Sequence, residues 1–193
     1  MANIQEKTAK LFPDATFTTD GNGTLQISVA DERWHDLAKF LRDDSEISMD
    51  YLVTIAGMDW VESLGCVYYL MSTKHNVMCS VRVAAGPDRD HPYIHSVADL
   101  WRIAEIYERE VYDFFGIIFI NNPDMRRLFL NIDWVGYPLR KDYDENPELN
   151  PVSIENERQT DLTSMYVEKD GKVVKTEHEV FHKDDFVVNI GPQ

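Results

Sequence analysis

The chain has 193 residues and a mass of 22.4 kDa, is 44% hydrophobic, and carries 34 acidic against 19 basic residues for a formal charge of -15. That length suits one domain, or one domain with an appendage, and that apolar share can build a core. The charge argues against a nucleic-acid binder and against adsorption to an anionic membrane, and no run approaches the ~20 apolar residues of a spanning helix, so no direct membrane insertion is expected.

The N-terminus, MANIQEKTAKLFPDA, has no apolar signal core, which predicts folding in the cytosol. Residues 4–12 predict a short helix that Pro13 ends. Residues 24–30, TLQISVA, alternate apolar and polar and predict a strand. Asp31 stands where a helix cap belongs, and Trp34, Leu37, Ala38 and Leu41 recur at i, i+3, i+4 and i+7 as one buried stripe. Two further runs, 66–73 and 77–85, predict a hairpin with its turn centred on His75. That centre sets Met71 opposite Cys79, Tyr69 opposite Val81 and Val67 opposite Val83, with this odd-numbered set facing the core. It also sets Cys66 opposite Ala84, so Cys66 and Cys79 are expected as separate buried thiols. Ser96 and Asp99 have capping-box spacing and predict the start of a long helix. Its stripe is Val97, Leu100, Trp101, Ala104, Val111 and Phe115, and Gly116 is placed to end it in a left-handed conformation. The apolar run 117–120 predicts a buried strand.

Helices and antiparallel strands in this order predict an α+β fold, a two-layer domain with a mixed or antiparallel sheet packed by helices. Residues 142–193 differ. They hold 13 acidic and 5 basic residues without long apolar periodicity, which predicts an extended irregular C-terminal arm; a disordered tail fits that composition equally. The expected division is therefore 1–143 and 144–193.

On the helical wheel Glu108 lies about 20° from Val97, inside the apolar stripe. A carboxylate there needs a partner, and Arg126, Arg127, Arg140 and Lys141 are the nearest basic supply in sequence, so one of the arginines is expected to hold it. The alternative is that Glu108 emerges at the edge of the stripe. Glu105, Arg109 and Asp113 are spaced for a charge ladder on a polar flank. The stretch after the helix is punctuated by Pro123, Gly136 and Pro138, yet rich in Trp, Tyr, Phe, Leu and Arg. Trp, Tyr and Arg are enriched at protein–protein hot spots, and an irregular loop of about 20 residues is usually functional or held by a partner.

Three strings carry a resemblance: EREVYDFFGI at 108–117, NPDMRRL at 122–128 and DWVGYPLRKDY at 133–143. In this order they closely resemble the C-type, 30 kDa subunit of bacterial NADH-quinone oxidoreductase, which is respiratory complex I. Asn122 and Tyr137 stand where that family has histidine, and Phe129 where it favours an aliphatic residue. Residues 186–193, FVVNIGPQ, are similar to the opening of the D-type, 49 kDa subunit, which some bacteria carry fused behind the C-type one. The resemblance implies a C-type domain followed by a linker into a D-type domain. It implies a non-catalytic role in a complex that passes electrons from NADH through flavin and iron–sulfur clusters to quinone, coupled to ion transport. Flavin, clusters and quinone are then expected in partner subunits. The implied partners are the D-type subunit and the iron–sulfur subunits of the peripheral arm, at the cytoplasmic side of the inner membrane. The residues it singles out, for docking and loop positioning, are Glu108, Arg109, Glu110, Asp113, Arg126, Arg127, Trp134, Leu139, Arg140 and Lys141.

The residues agree with the absence of a resident cofactor. Two cysteines cannot supply the four thiolates of an iron–sulfur cluster, and no Gly-x-Gly-x-x-Gly follows a strand. Three rival readings compete. Homologous subunits of energy-converting hydrogenases and F420H2 dehydrogenases share the Glu-Arg-Glu and Arg-Arg pattern. A stand-alone metalloenzyme would use Asp88, Asp90, His91 and His95, but Pro92 interrupts the i, i+4 histidines and no base Glu follows His91. A generic acid–base enzyme rests only on carboxylate pairs, which chance supplies freely in so acidic a chain.

Overall fold

Period-two alternation builds one face of the first sheet. The computed structural model describes residues 2–86, 88–144 and 162–179. In it β2 (Leu25–Ala30) lies between β1 (Thr16–Thr19) and β5 (Val77–Ala84), and β4 (Leu64–Ser72) and β3 (Tyr51–Asp59) continue to the other edge. β2 and β5 run parallel and the remaining pairs antiparallel, so the sheet is mixed. Ile27 and Val29, Cys79, Val81 and Val83, and Cys66, Tyr68 and Leu70 are buried. α2 (Asp31–Asp43) packs there with the expected stripe, Trp34, Leu37, Ala38 and Leu41, removed from solvent. Burying side chains of the size of Leu37 or Leu41 stabilises by roughly 1.5–3 kcal/mol each. The Trp34 ring meets Tyr68 at 4.2 Å between centroids, tying helix to sheet. α1 (Ala2–Leu11) adds Ile4 to the same core.

The second sheet runs β6 (Tyr93–His95), β7 (Ile118–Ile120), β8 (Leu162–Lys169), β9 (Lys172–Glu179). Its first three strands are parallel and the last pair forms an antiparallel hairpin. The C-terminal arm therefore contains a hairpin, which its composition does not announce. α3 (Ala104–Phe115) connects the sheets, packing against β3 and β7. Gly57 of β3 leaves no room for a Cβ beside the Phe115 ring, so this close approach requires glycine. The result is the expected α+β architecture.

Four local expectations are corrected. The β4–β5 register is one residue off: Leu70 faces Cys79, Tyr68 faces Val81 and Cys66 faces Val83. The ladder closes at Ser72 and Val77, so the loop holds four residues rather than centring on His75, with Asn76 left-handed at φ 51°. On β4 the even residues thus face the core, and Tyr69 is exposed. Cys66 and Cys79 are nevertheless both free and buried, as expected. Asp31 does not cap α2; Ala30 occupies the cap position, and the Asp31 carboxylate accepts from the backbone and ring of His95. The long helix begins at Ala104, not Ser96. Residues 97–101 make a separate turn, because the Trp101 indole donates to the Met49 carbonyl and Glu108 takes the Ser96 hydroxyl and the Val97 N–H. β3, unassigned from sequence, carries a bulge between Leu52 and Thr54 that breaks its alternation.

Candidate functional site

α3 is an amphipathic helix that buries two carboxylates, Glu108 and Asp113, both fully out of water. Five residues apart, they point to different sides of the helix. Glu108 accepts from the Ser96 hydroxyl at 2.6 Å, the Val97 N–H at 2.9 Å and the Asn122 amide at 2.7 Å. The expected arginine is not among these donors. Asn122, two residues past β7, fills the place, while Arg126 and Arg127 turn to other acids. Burial pushes the Glu108 carboxyl up to about 7, against the pull of its three donors. Asn122 also donates to the Glu105 carbonyl and accepts the Asp124 N–H, so it pins the loop entrance from both sides.

Asp113 gathers the middle of the loop. Arg127 pairs with it at 2.9 Å, and the backbone N–H groups of Leu128, Phe129 and Leu130 donate to its second oxygen at 3.0, 2.6 and 2.9 Å. The Arg127 guanidinium reaches on to the carbonyls of Trp134 and Gly136, crossing the loop from within. Arg109 donates to the carbonyls of Arg126 and Arg127 and pairs with Asp124 at 3.2 Å. Arg126 also pairs with Asp124, at 2.9 Å. Burial works against the Asp124 anion, but these two guanidinium groups hold its carboxyl below the ordinary range. The expected ladder along the helix therefore does not form: Arg109 and Asp113 both turn to the loop.

The far end of the loop is held on Gly116, the left-handed end of α3 at φ 69°. A Cβ there would overlap the Tyr137 ring. Arg140 lies 4.7 Å from that ring's centroid and donates to the Phe115 carbonyl at 2.6 Å. The Lys141 N–H donates to Asp59, which also takes both nitrogens of an Arg89 fork at 2.9 and 2.7 Å. That fork holds the Asp59 carboxyl well below the usual carboxylate range. Arg89 closes the arrangement on Asp142 at 3.1 Å.

The residues singled out from sequence therefore divide. Glu108, Arg109, Asp113, Arg126, Arg127 and Arg140 brace the loop from inside, and Trp134 lends it a carbonyl. Glu110 is exposed on α3, and Leu139 and Lys141 have exposed side chains and are bound through their backbone N–H groups. Asp59, Arg89, Asn122 and Asp124 complete the bracing and were not anticipated. Asn122 and Asp124 lie in the strings that carry the resemblance; Asp59 and Arg89 gave no local signal, since Asp59 is 82 residues from the Lys141 it holds. Outward, Phe129, Ile132, Val135 and Leu139 are between 47 and 64% exposed. Phe129 stacks on Phe114 at 5.7 Å, and the Leu139 N–H bonds the Phe114 carbonyl, so Phe129 and Leu139 share one base. Among the described residues no group of three or more His, Cys, Asp or Glu could hold a metal ion. His91 is engaged by Asp88 and His95 by Asp31. This is a shaped surface whose internal charges are spent on positioning.

The model of the family "Respiratory-chain NADH dehydrogenase, 30 Kd subunit" matches residues 27–148. A fused C/D-type NADH-quinone oxidoreductase polypeptide of Phocaeicola vulgatus is 46% identical over 172 residues, 87% of this chain and 32% of that protein. This chain thus spans about a third of the length of such fused relatives. A C-type NADH-quinone oxidoreductase subunit of Roseiflexus is 36% identical, with 73% of this chain and 82% of that protein covered. Among solved structures, a trypsin-resistant fragment of Nqo5 superposes with a TM-score of 0.55 at 27% identity, covering 64% of this chain and 97% of the fragment. A chain of the archaeal membrane-bound sulfane sulfur reductase shares the fold, with a TM-score of 0.66 at 23% identity, covering 82% of this chain and 95% of that one. With the braced loop formed by the very strings that carry the resemblance, the chain belongs to the family of the 30 kDa subunit of respiratory-chain NADH dehydrogenase.

Proposed function

We propose that this chain is a non-catalytic scaffold of the peripheral arm of a proton-translocating NADH:quinone oxidoreductase, on the cytoplasmic side of the inner membrane. Its loop at 121–143 docks a 49 kDa, D-type polypeptide and the adjoining iron–sulfur subunits. Residues 1–143 are the docking domain, and 144–193 lead into a D-type domain fused downstream. The names of the fused C/D-type relatives support that arrangement. The FVVNIGPQ string that suggested it lies outside the described residues. Flavin, iron–sulfur clusters and quinone belong to the partners. No described helix is long and apolar enough to cross a membrane.

One observation carries this reading: the loop is fixed from beneath by Glu108, Asp113, Asp124 and Asp59 while Phe129, Ile132 and Leu139 face outward. A loop so held has lost its conformational entropy before binding, so a partner need not supply the ordering cost. The test is co-purification of the peripheral arm with Arg126→Ala and Arg140→Ala, which loosen the brace, and Leu139→Asp, which alters only the outward face. All three are expected to reduce recovery of the D-type and iron–sulfur polypeptides. Full recovery with every variant would overturn the assignment, as would turnover of NADH or quinone by the isolated chain.

A further inference from the structure

The C-terminal hairpin is attached to the domain by very little ladder. Between β7 and β8 the described register is a single pair, Ile120 with Tyr166. The Asn121 N–H adds one bond to the Tyr166 carbonyl at 2.7 Å, and Asn121, left-handed at φ 69°, then turns the chain away. Side chains must supply the rest of the hold. Tyr166 and Glu168, two apart on β8, share a face. Tyr166 packs against the core beside Tyr112 of α3. Glu168 faces His95.

His95 lies on β6, two strands from the hairpin, and touches two carboxylates. Its Nδ1 is 2.8 Å from Asp31 of α2, a carboxylate only 5% exposed. Its Nε2 is 3.7 Å from Glu168 of β8, whose carboxylate is half exposed. From α2 the ring meets Asp31, from β8 it meets Glu168, and β7 offers only Ile120 at the paired position. On its own strand, Tyr93 sits within the field of Asp31, Glu168 and Glu32. The groups that act on the ring are the acids Asp31 and Glu168, and from β9 Lys175 stands opposite Tyr166 on the hairpin face that carries Glu168.

We propose that His95 is a proton-controlled latch for the C-terminal arm: charged, it bridges Asp31 on the domain to Glu168 on the hairpin, and neutral, it serves Asp31 alone and frees the hairpin's edge. A neutral imidazole carries one N–H, which the closer and more buried Asp31 retains. Nε2 then presents a lone pair to an anion, and the contact with Glu168 turns from attractive to repulsive. The bond to Asp31 raises the imidazole above its ordinary range and Glu168 adds to it, while burial opposes both. The hold is therefore present at acid pH and is lost as pH rises through that elevated value.

The Asn121 amide reports docking directly, because its acceptor is on the hairpin and its donor on the domain. Amide exchange of the 193-residue chain, corrected for intrinsic rates, is measured from about pH 5 to pH 8, with the ring titration of His95 followed by NMR. Protection at Asn121 is expected to fall about two- to fivefold as His95 loses its proton, the size of a half-exposed ion pair. Glu168→Gln, which leaves the domain untouched, should flatten that dependence and lower the His95 titration; His95→Gln should flatten it at the unlatched level. Constant protection across the titration in the wild type would overturn the proposal, as would an unchanged pH dependence in Glu168→Gln.

Discussion

Glu108 and Asp113 show two ways for one helix to bury a carboxylate. Asp113 keeps an arginine and three backbone donors, so its charge is answered where it lies. Asp113→Asn should strand Arg127 and cost about 3 kcal/mol, read as a lower urea midpoint together with faster proteolysis within 126–132. Among the described residues Glu108 has three neutral donors and no cation, and its carboxyl sits at about 7 rather than the 4.5 of an exposed glutamate. Between those values the folded chain binds more protons than the unfolded one. Its favourable share of stability is therefore complete below about pH 4.5 and lost as pH rises through 7. Glu108→Gln, an isostere of the protonated form, should gain on the wild type by about 1–3 kcal/mol as pH is raised from about 5 to 8, in paired urea titrations. Equal slopes for the two proteins would place the ionised carboxylate in a better-compensated site than its three donors provide.

At the scale of elements, α3 is shaped less by its own propensity than by what takes its first turn. The Ser96 signal was legible, but its hydroxyl and the following N–H are spent on Glu108, and the helix begins eight residues later than the capping pattern suggests. The end was legible for a firmer reason. Gly116 has a left-handed backbone, and a Cβ would both strain it and meet the Tyr137 ring. Gly116→Ala should lower stability by about 1–2 kcal/mol and lower the thermal midpoint accordingly, with the Tyr137 side of the loop shifting in NMR spectra. Tyr137 is thus a packing piece. The β4–β5 register slipped by one because a four-residue loop and a three-residue turn fit the same alternating residues; only the neighbouring strands and the Trp34 side choose the face.

For the whole molecule, the arrangement is a two-sheet body with a rigid loop on one side and a weakly laddered hairpin on another sheet edge. The exposed apolar groups of the loop cost little to change in the isolated chain, because they are already in water. Leu139→Asp should therefore leave stability within about 0.5 kcal/mol while lowering capture of a partner by at least about tenfold, compared by denaturation and by co-purification. A large loss of stability with intact capture would reverse the roles assigned to this face.

Local order along the chain determined the stripe of α2, the glycine that ends α3, the burial of β7 and of Cys79, and the three strings that mark the family. Each depends on residues a few positions apart, and such spacing is read directly. The tertiary structure alone decided which donor meets which acid. Asp59 with Arg89, Asp31 with His95 and Glu108 with Asn122 are joined across 30, 64 and 14 residues. Electrostatic pairing depends on distance in space and on what burial leaves available, and a basic residue near in sequence has no priority once a neutral amide is nearer in the fold.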